Sequence, residues 1–227
     1  MERLHYSLLA ALFEYPDAQY PQRVQDVVEF LDGRYEKASA ELDRFVSYLP
    51  TQDLLTIQEL FTRSFDVQAV TTLDIGYVLF GDDYKRGEML ANLNREHIAA
   101  GIDCGTELGD YLPNLLRLLA ALEDEDLISD MVSAVLVPAL RDMIGEFNPD
   151  RVEKRNISYL KHYKTLIETP DVAIEAVTLY QFALNTLYLV LKQDFAPVET
   201  IPLKITSDFL TSVGRENAIE ENANAQH

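Results

Sequence analysis

The chain has 227 residues, 48% of them hydrophobic and 25% charged, which is enough apolar side chain for one large core and too much for a disordered body. A formal charge of -19 repels nucleic-acid phosphates and anionic lipid head groups and favours a cationic partner such as a basic peptide. The single cysteine, Cys104, excludes an internal disulfide and any cysteine-based zinc site or cluster, as in a reducing compartment.

Leu4, Leu8, Leu9, Leu12 and Phe13 recur at helical spacing and stop at Tyr15-Pro16-Asp17, because proline disfavours helix in the residue before it. A second stripe, Val24, Val27, Val28 and Leu31, is closed by Asp32-Gly33, a left-handed stop. Leu42, Phe45 and Leu49 predict a third helix ending near Pro50. Leu54, Leu55, Ile57, Leu60 and Phe61 predict a fourth, with Thr51 placed to cap it. Thr72 to Phe80 reads as a shorter helix broken by Gly81, after which Met89, Leu90, Leu93 and His97 share one face as far as Gly101.

Pro113 can open the next helix, since first-turn N–H groups have no intrahelical partner, and Leu115, Leu116, Leu118, Leu119 and Leu122 form its apolar face. Glu123-Asp124-Glu125-Asp126 place carboxylates at the positive end of a further helix. That helix continues through Leu127, Met131, Val135 and Leu136 and is kinked at Pro138. Asn148-Pro149-Asp150 reads as a loop. The last strong helix is expected from Pro170 to Leu191 and, being apolar around most of its circumference, is placed at the centre. Hairpin signals between alternating runs are missing, so no substantial sheet is expected. The prediction is all-α: a single multi-helix bundle over residues 1–193, then an extended, flexible acidic tail over 194–227.

The residue types needed for catalysis do not converge in sequence. Phosphate-loop, dinucleotide and nucleophile-elbow motifs are absent, and none of His5, His97, His162 and His227 is followed by aspartate. A helical di-iron site needs two Glu-x-x-His pairs, and the sequence has one, Glu2-Arg3-Leu4-His5, so no metal site is expected. Asp82, Asp83, Glu107 and Asp110 can be read as carboxylates for acid–base or divalent-metal chemistry. The simpler reading is capping: Asp82 or Asp83 for the helix beginning near Tyr84, and Asp110 for the one beginning near Leu112. Arg86 is suited to pair with one of these acids and pin the loop between the helices.

Several segments together carry a family resemblance. They are Leu12-Phe13-Glu14-Tyr15-Pro16-Asp17, Phe65-Asp66, Leu73 through Tyr77, Gly81-Asp82-Asp83-Tyr84-Lys85-Arg86-Gly87 and Glu107-Leu108-Gly109-Asp110-Tyr111-Leu112-Pro113. On these the chain resembles the NarJ-type delta subunits, assembly chaperones of molybdenum oxidoreductases within the TorD/DmsD group of redox-enzyme maturation proteins. The likeness covers roughly Leu4 to Leu122, and more loosely to about Leu191. Gly109 departs from it, since the family carries proline there. The wording Thr72-Leu73-Asp74-Ile75-Gly76-Tyr77 is similar to chaperones of the type II dimethyl-sulfoxide-reductase group.

The resemblance implies a non-catalytic cytoplasmic protein, monomer or dimer, holding no permanent cofactor. It would bind the N-terminal, twin-arginine-like segment of an apo large catalytic subunit, keeping it competent for insertion of bis-guanylyl molybdopterin before assembly or export. No basic-then-apolar leader opens the sequence and no apolar run reaches bilayer length, which agrees with cytoplasmic placement and no membrane insertion. The expected client groove takes apolar contacts from Tyr77, Phe80, Tyr111 and Leu115 and meets guanidinium groups with Asp82, Asp83, Glu107 and Asp110, Arg86 lying among them. Two alternatives remain from the residues: a helical carboxylate-metal hydrolase using those four acids, and a helical adaptor whose acidic tail recruits an unrelated basic protein.

Overall fold

In the computed structural model, which describes residues 3–49, 53–162 and 178–196, every regular element is a helix. Helix α1 (His5–Ala10) tightens into a 3-10 turn over Ala11–Phe13, and Tyr6, Leu9, Leu12 and Phe13 are fully buried. Helix α2 (Tyr20–Leu31) has Pro21 in its first turn and ends ahead of Gly33, whose φ of 65° is left-handed as expected. Helix α3 (Glu36–Val46) buries Ala38, Leu42 and Phe45. Helix α4 (Leu54–Phe65) is capped by Asp53, whose carboxylate accepts from the Thr56 N–H at 2.8 Å, so the cap assigned to Thr51 is corrected. Thr51 itself lies outside the described residues.

Helix α5 (Ile75–Phe80) starts three residues later than the sequence suggests, because Leu73 and Asp74 pair with the chain near Tyr111 instead. Helix α6 (Tyr84–Ala100) is capped by Asp83, which accepts from the Lys85 N–H at 2.9 Å, and closes on left-handed Gly101. Helix α7 (Leu112–Ala121) carries Pro113 in its first turn. Its N-cap residue is Tyr111, with no side-chain cap bond, which corrects the capping role given to Asp110.

Helix α8 (Glu125–Asp130), capped by Asp124, runs through a π turn (Met131–Leu136) into α9 (Val137–Glu146). Pro138 lacks an N–H and crowds the preceding carbonyls, and the wider turn just before it absorbs both defects, so the helix continues. Helix α10 (Pro149–His162) corrects the expected loop. Asn148 accepts from the Asp150 N–H at 2.9 Å, and Pro149 fills the first helical position, so the three residues start a helix.

Helix α11 (Tyr180–Phe195) packs mainly on α3 and α9, and its Tyr180, Leu184, Leu187, Val190 and Leu191 are fully buried. The Tyr180 ring lies 4.9–5.7 Å from those of Phe45, Phe61 and Phe65. Its hydroxyl meets that of Tyr20 at 3.1 Å, and Tyr20 donates to the Leu12 carbonyl at 2.9 Å, so both buried phenols are satisfied. The expected beginning of this helix at Pro170 lies outside the described residues, as does the stretch after Ala196 to which most of the tail assignment refers. Among the described residues no helix is long and apolar enough to cross a membrane.

The helix also passes the boundary expected at residue 193. Asp194 belongs to its last turn and accepts from Tyr6 at 2.6 Å and Tyr35 at 2.9 Å, with His5 Nε2 at 2.8 Å. Burial pushes the Asp194 carboxyl up, but bonds from His5, Tyr6 and Tyr35 outweigh it and leave it below the usual carboxylate range. Burial, reinforced by Asp194, pushes the Tyr35 phenol up to about 12. A depressed folded-state pKa stabilises above the unfolded value and is lost as pH falls through the folded one. The stability gap between the protein and Asp194→Asn should therefore be full above about pH 5 and close progressively at lower pH. Urea midpoints of both proteins at neutral and acid pH test this, and a gap that widens on acidification would contradict it.

Candidate functional site

The segments singled out in the sequence meet in one bonded unit. Residues Leu73–Ile75 and Asp110–Leu112 run antiparallel, with the Ile75 N–H donating to the Asp110 carbonyl at 2.9 Å and the Leu112 N–H to the Leu73 carbonyl at 2.8 Å. Tyr111 extends the unit to the first motif by donating its hydroxyl to the Phe13 carbonyl at 3.1 Å, and burial raises its phenol well above the ordinary value. Glu14 pairs with Arg117 of α7, and Gln58 of α4 donates to the Pro16 carbonyl at 2.7 Å.

Arg86 closes the unit from α6. Its Nε donates to Asp110 Oδ2 at 2.9 Å and its Nη2 to Asp74 Oδ2 at 3.0 Å. The Asp110 side chain has no solvent exposure, that of Arg86 17% and that of Asp74 33%, so one guanidinium joins a fully buried carboxylate to a partly exposed one in a triad. Burial, then the charge of Asp110, holds the Asp74 carboxyl above its ordinary pKa despite Arg86. The Arg86 guanidinium also lies over the Tyr77 ring, 5.5 Å from its centroid.

Gly76 makes this approach possible. A Cβ there would stand 2.6 Å from Asp110 Oδ2 and 3.1 Å from Arg86 Cγ. Gly76→Ala should cost about 1–3 kcal/mol through this overlap, measured by urea unfolding. A variant as stable as the parent would show that the triad can yield.

Of the expected client-contact residues, the structure joins Tyr77, Arg86, Asp110 and Tyr111. Tyr77 is 43% exposed, Phe80 is half-buried, and Asp82, Asp83 and Glu107 are exposed. Glu107 stands on the loop before α7, which Asn114 pins through the Cys104 and Leu108 carbonyls and His97 through the Gly109 carbonyl at 3.0 Å. Two assignments are corrected. Leu115 is fully buried and packs in the core, and Asp110 answers the chain's own Arg86, so neither side chain can face a client. This also removes Asp110 from the four acids of the hydrolase reading. Among the described residues no group of three or more His, Cys, Asp or Glu side chains could hold a metal.

Asp74 was missing from the sequence-based site. Its signal lay in the same Leu73–Tyr77 run, where an acid directly precedes a helix and a glycine follows two residues later. Beside Tyr77 the fold leaves an open cavity of about 830 Å³, formed by the turn after α4, helix α5, the end of α9 and the start of α10. Ala69 and Val78 give it apolar surface over the buried Met143, and its charges balance, Arg141, Arg151 and Arg155 against Asp66, Asp142 and Glu146. The arginines went unread because they lie on two helices, Arg141 on α9 and Arg151 and Arg155 on α10, on either side of the Asn148-Pro149-Asp150 segment read as a loop. No protein-family model matches the chain, and no curated protein matches its sequence.

Proposed function

We propose that the protein is an assembly chaperone for a molybdenum oxidoreductase, working in the cytoplasm without chemistry of its own. It binds the cationic N-terminal segment of the apo large catalytic subunit and holds that subunit open for insertion of bis-guanylyl molybdopterin before assembly or export. The reading places the protein with the chaperones of the type II dimethyl-sulfoxide-reductase group. One observation carries it. The segments on which the resemblance rests, Phe13–Pro16, Leu73–Tyr77, Arg86 and Asp110–Tyr111, form a single hydrogen-bonded unit, next to which Tyr77, Asp82 and Asp83 remain open to solvent.

The charge of -19 speeds encounter with a cationic segment, and apolar contact then sets residence time. Added salt therefore slows capture more than it hastens release. The test is affinity capture of the tagged protein from its host while the client is being made, with molybdenum analysis of what is bound. Recovery of one large subunit lacking the metal is the expected result, and recovery of none would overturn the reading. The variant pair Asp82→Asn with Asp83→Ser removes two charges while leaving a hydroxyl to cap α6. It should weaken capture with helicity unchanged.

A further inference from the structure

Helix α6 runs for 17 residues yet buries only two of them, Leu93 and His97. It packs mainly on α5 and α7. The side turned away from Leu93 carries Tyr84, Glu88, Ala91, Arg95 and Ile98, all exposed, Tyr84 at 65% and Ile98 at 71%. Steps of four, three, four and three residues keep these five in one stripe along the helix, the spacing of a coiled-coil seam. The apolar members, Tyr84, Ala91 and Ile98, recur every seven residues, and so do the two charged ones between them.

The stripe is close to symmetric about Ala91. Tyr84 and Ile98 stand seven residues to either side of it, Glu88 three before and Arg95 four after. Laid end for end on a second copy of itself, the helix sets Tyr84 against the partner's Ile98 and Glu88 beside the partner's Arg95. Laid in the same direction it would oppose glutamate to glutamate and arginine to arginine, so the charges select the antiparallel pairing. Alanine at the crossing point lets the two helices approach closely. Glu88 accepts from the Tyr84 hydroxyl at 3.4 Å and Arg95 donates to Asn92, both along the helix's own surface, and among the described residues neither is held in an ion pair.

We infer that the outer face of α6 is a self-association surface, on which two copies of the chain meet antiparallel about a two-fold axis at Ala91. A two-fold interface presents the same patch from both copies and so requires a self-complementary one, which this stripe is. Charge points to the same face. A protein of net charge -19 repels its own copies over most of its surface, whereas the stripe carries one acid and one base and is locally neutral. From Tyr84 to Ile98 the seam is about 21 Å long, which lies at the small end of specific interfaces and gives a weak dimer, with a Kd of roughly 10–100 μM. The inference is independent of the chaperone reading.

Sedimentation equilibrium of the whole chain from about 5 to 500 μM, at near-physiological salt to screen the general repulsion, should show monomer passing into dimer. Ala91→Glu sets two carboxylates at the axis, on an exposed position where a helix accepts glutamate, and should weaken the dimer about tenfold or more. Ala40→Glu, the same charge change at an exposed position of α3, should leave it nearly unchanged. Glu88→Arg makes the chain less negative, which favours association over the general surface, yet it faces the partner's Arg95 and should weaken the dimer about threefold or more. Adding Arg95→Glu exchanges the signs and should recover the parent's affinity. A chain that stays monomeric throughout, equal responses to Ala91→Glu and Ala40→Glu, or a charge exchange that recovers nothing overturns the inference.

Discussion

Arg86→Ala should lower the unfolding free energy by about 3–5 kcal/mol, seen as a large fall in the urea midpoint at neutral pH. The loss comes from what is left behind. Asp110 has no solvent exposure, and without the guanidinium at 2.9 Å its charge is buried with Asp74 as a second negative neighbour. Arg86→Lys restores a charge but cannot reach two carboxylates with a planar fork, so it should recover only part of the loss. Adding Asp110→Asn to Arg86→Ala removes the stranded charge and should return a substantial share of the stability. If Arg86→Ala and the double variant unfold at the same midpoint, the triad is not the source of the effect.

Leu115→Ala should cost about 2–5 kcal/mol, the range for truncating a fully buried leucine that leaves a cavity. This substitution separates two meanings of an apolar residue near a motif. A groove residue would lose client affinity with little change in unfolding, whereas a core residue loses stability first. The fold places Leu115 on the inner face of α7, with Leu116, Leu118 and Leu119 likewise buried. The expected result is a displaced unfolding midpoint, with peptide affinity preserved wherever the variant remains folded.

The sequence made the helices legible where an apolar stripe met a stop: Leu31 before Gly33, Leu93 and His97 before Gly101, Pro113 ahead of a leucine run. It misled where a polar helix began. Helix α10 shows few apolar residues, so Asn148-Pro149 looked like a loop although the same pair makes a good cap and first turn. At the candidate site, local spacing was enough to find Asp83 as a cap, because cap and N–H lie two residues apart. It was not enough for Asp110, whose partner Arg86 is 24 residues away. A helix-boundary acid and a buried ion-pair acid look alike until the chain folds back. Sequence suggested that Arg86 pairs with an acid, and only the fold decided which. Asp194 is the extreme case, read as the start of a tail although it is held by residues from α1 and the start of α3.

That last contact has a consequence for how the protein is made. His5 and Asp194 are 189 positions apart, and Tyr6 and Asp194 188. Helix α1 leaves the ribosome before Asp194, and the carboxylate that satisfies its phenol and imidazole follows on the order of ten seconds or more later. A chain halted before residue 194 can still pack α1 on α7, but its Tyr6 hydroxyl lacks the acceptor it has in the finished fold. Products truncated before Asp194 therefore carry a first helix whose phenol and imidazole lack their carboxylate, whereas the finished bundle locks both with a single residue of α11.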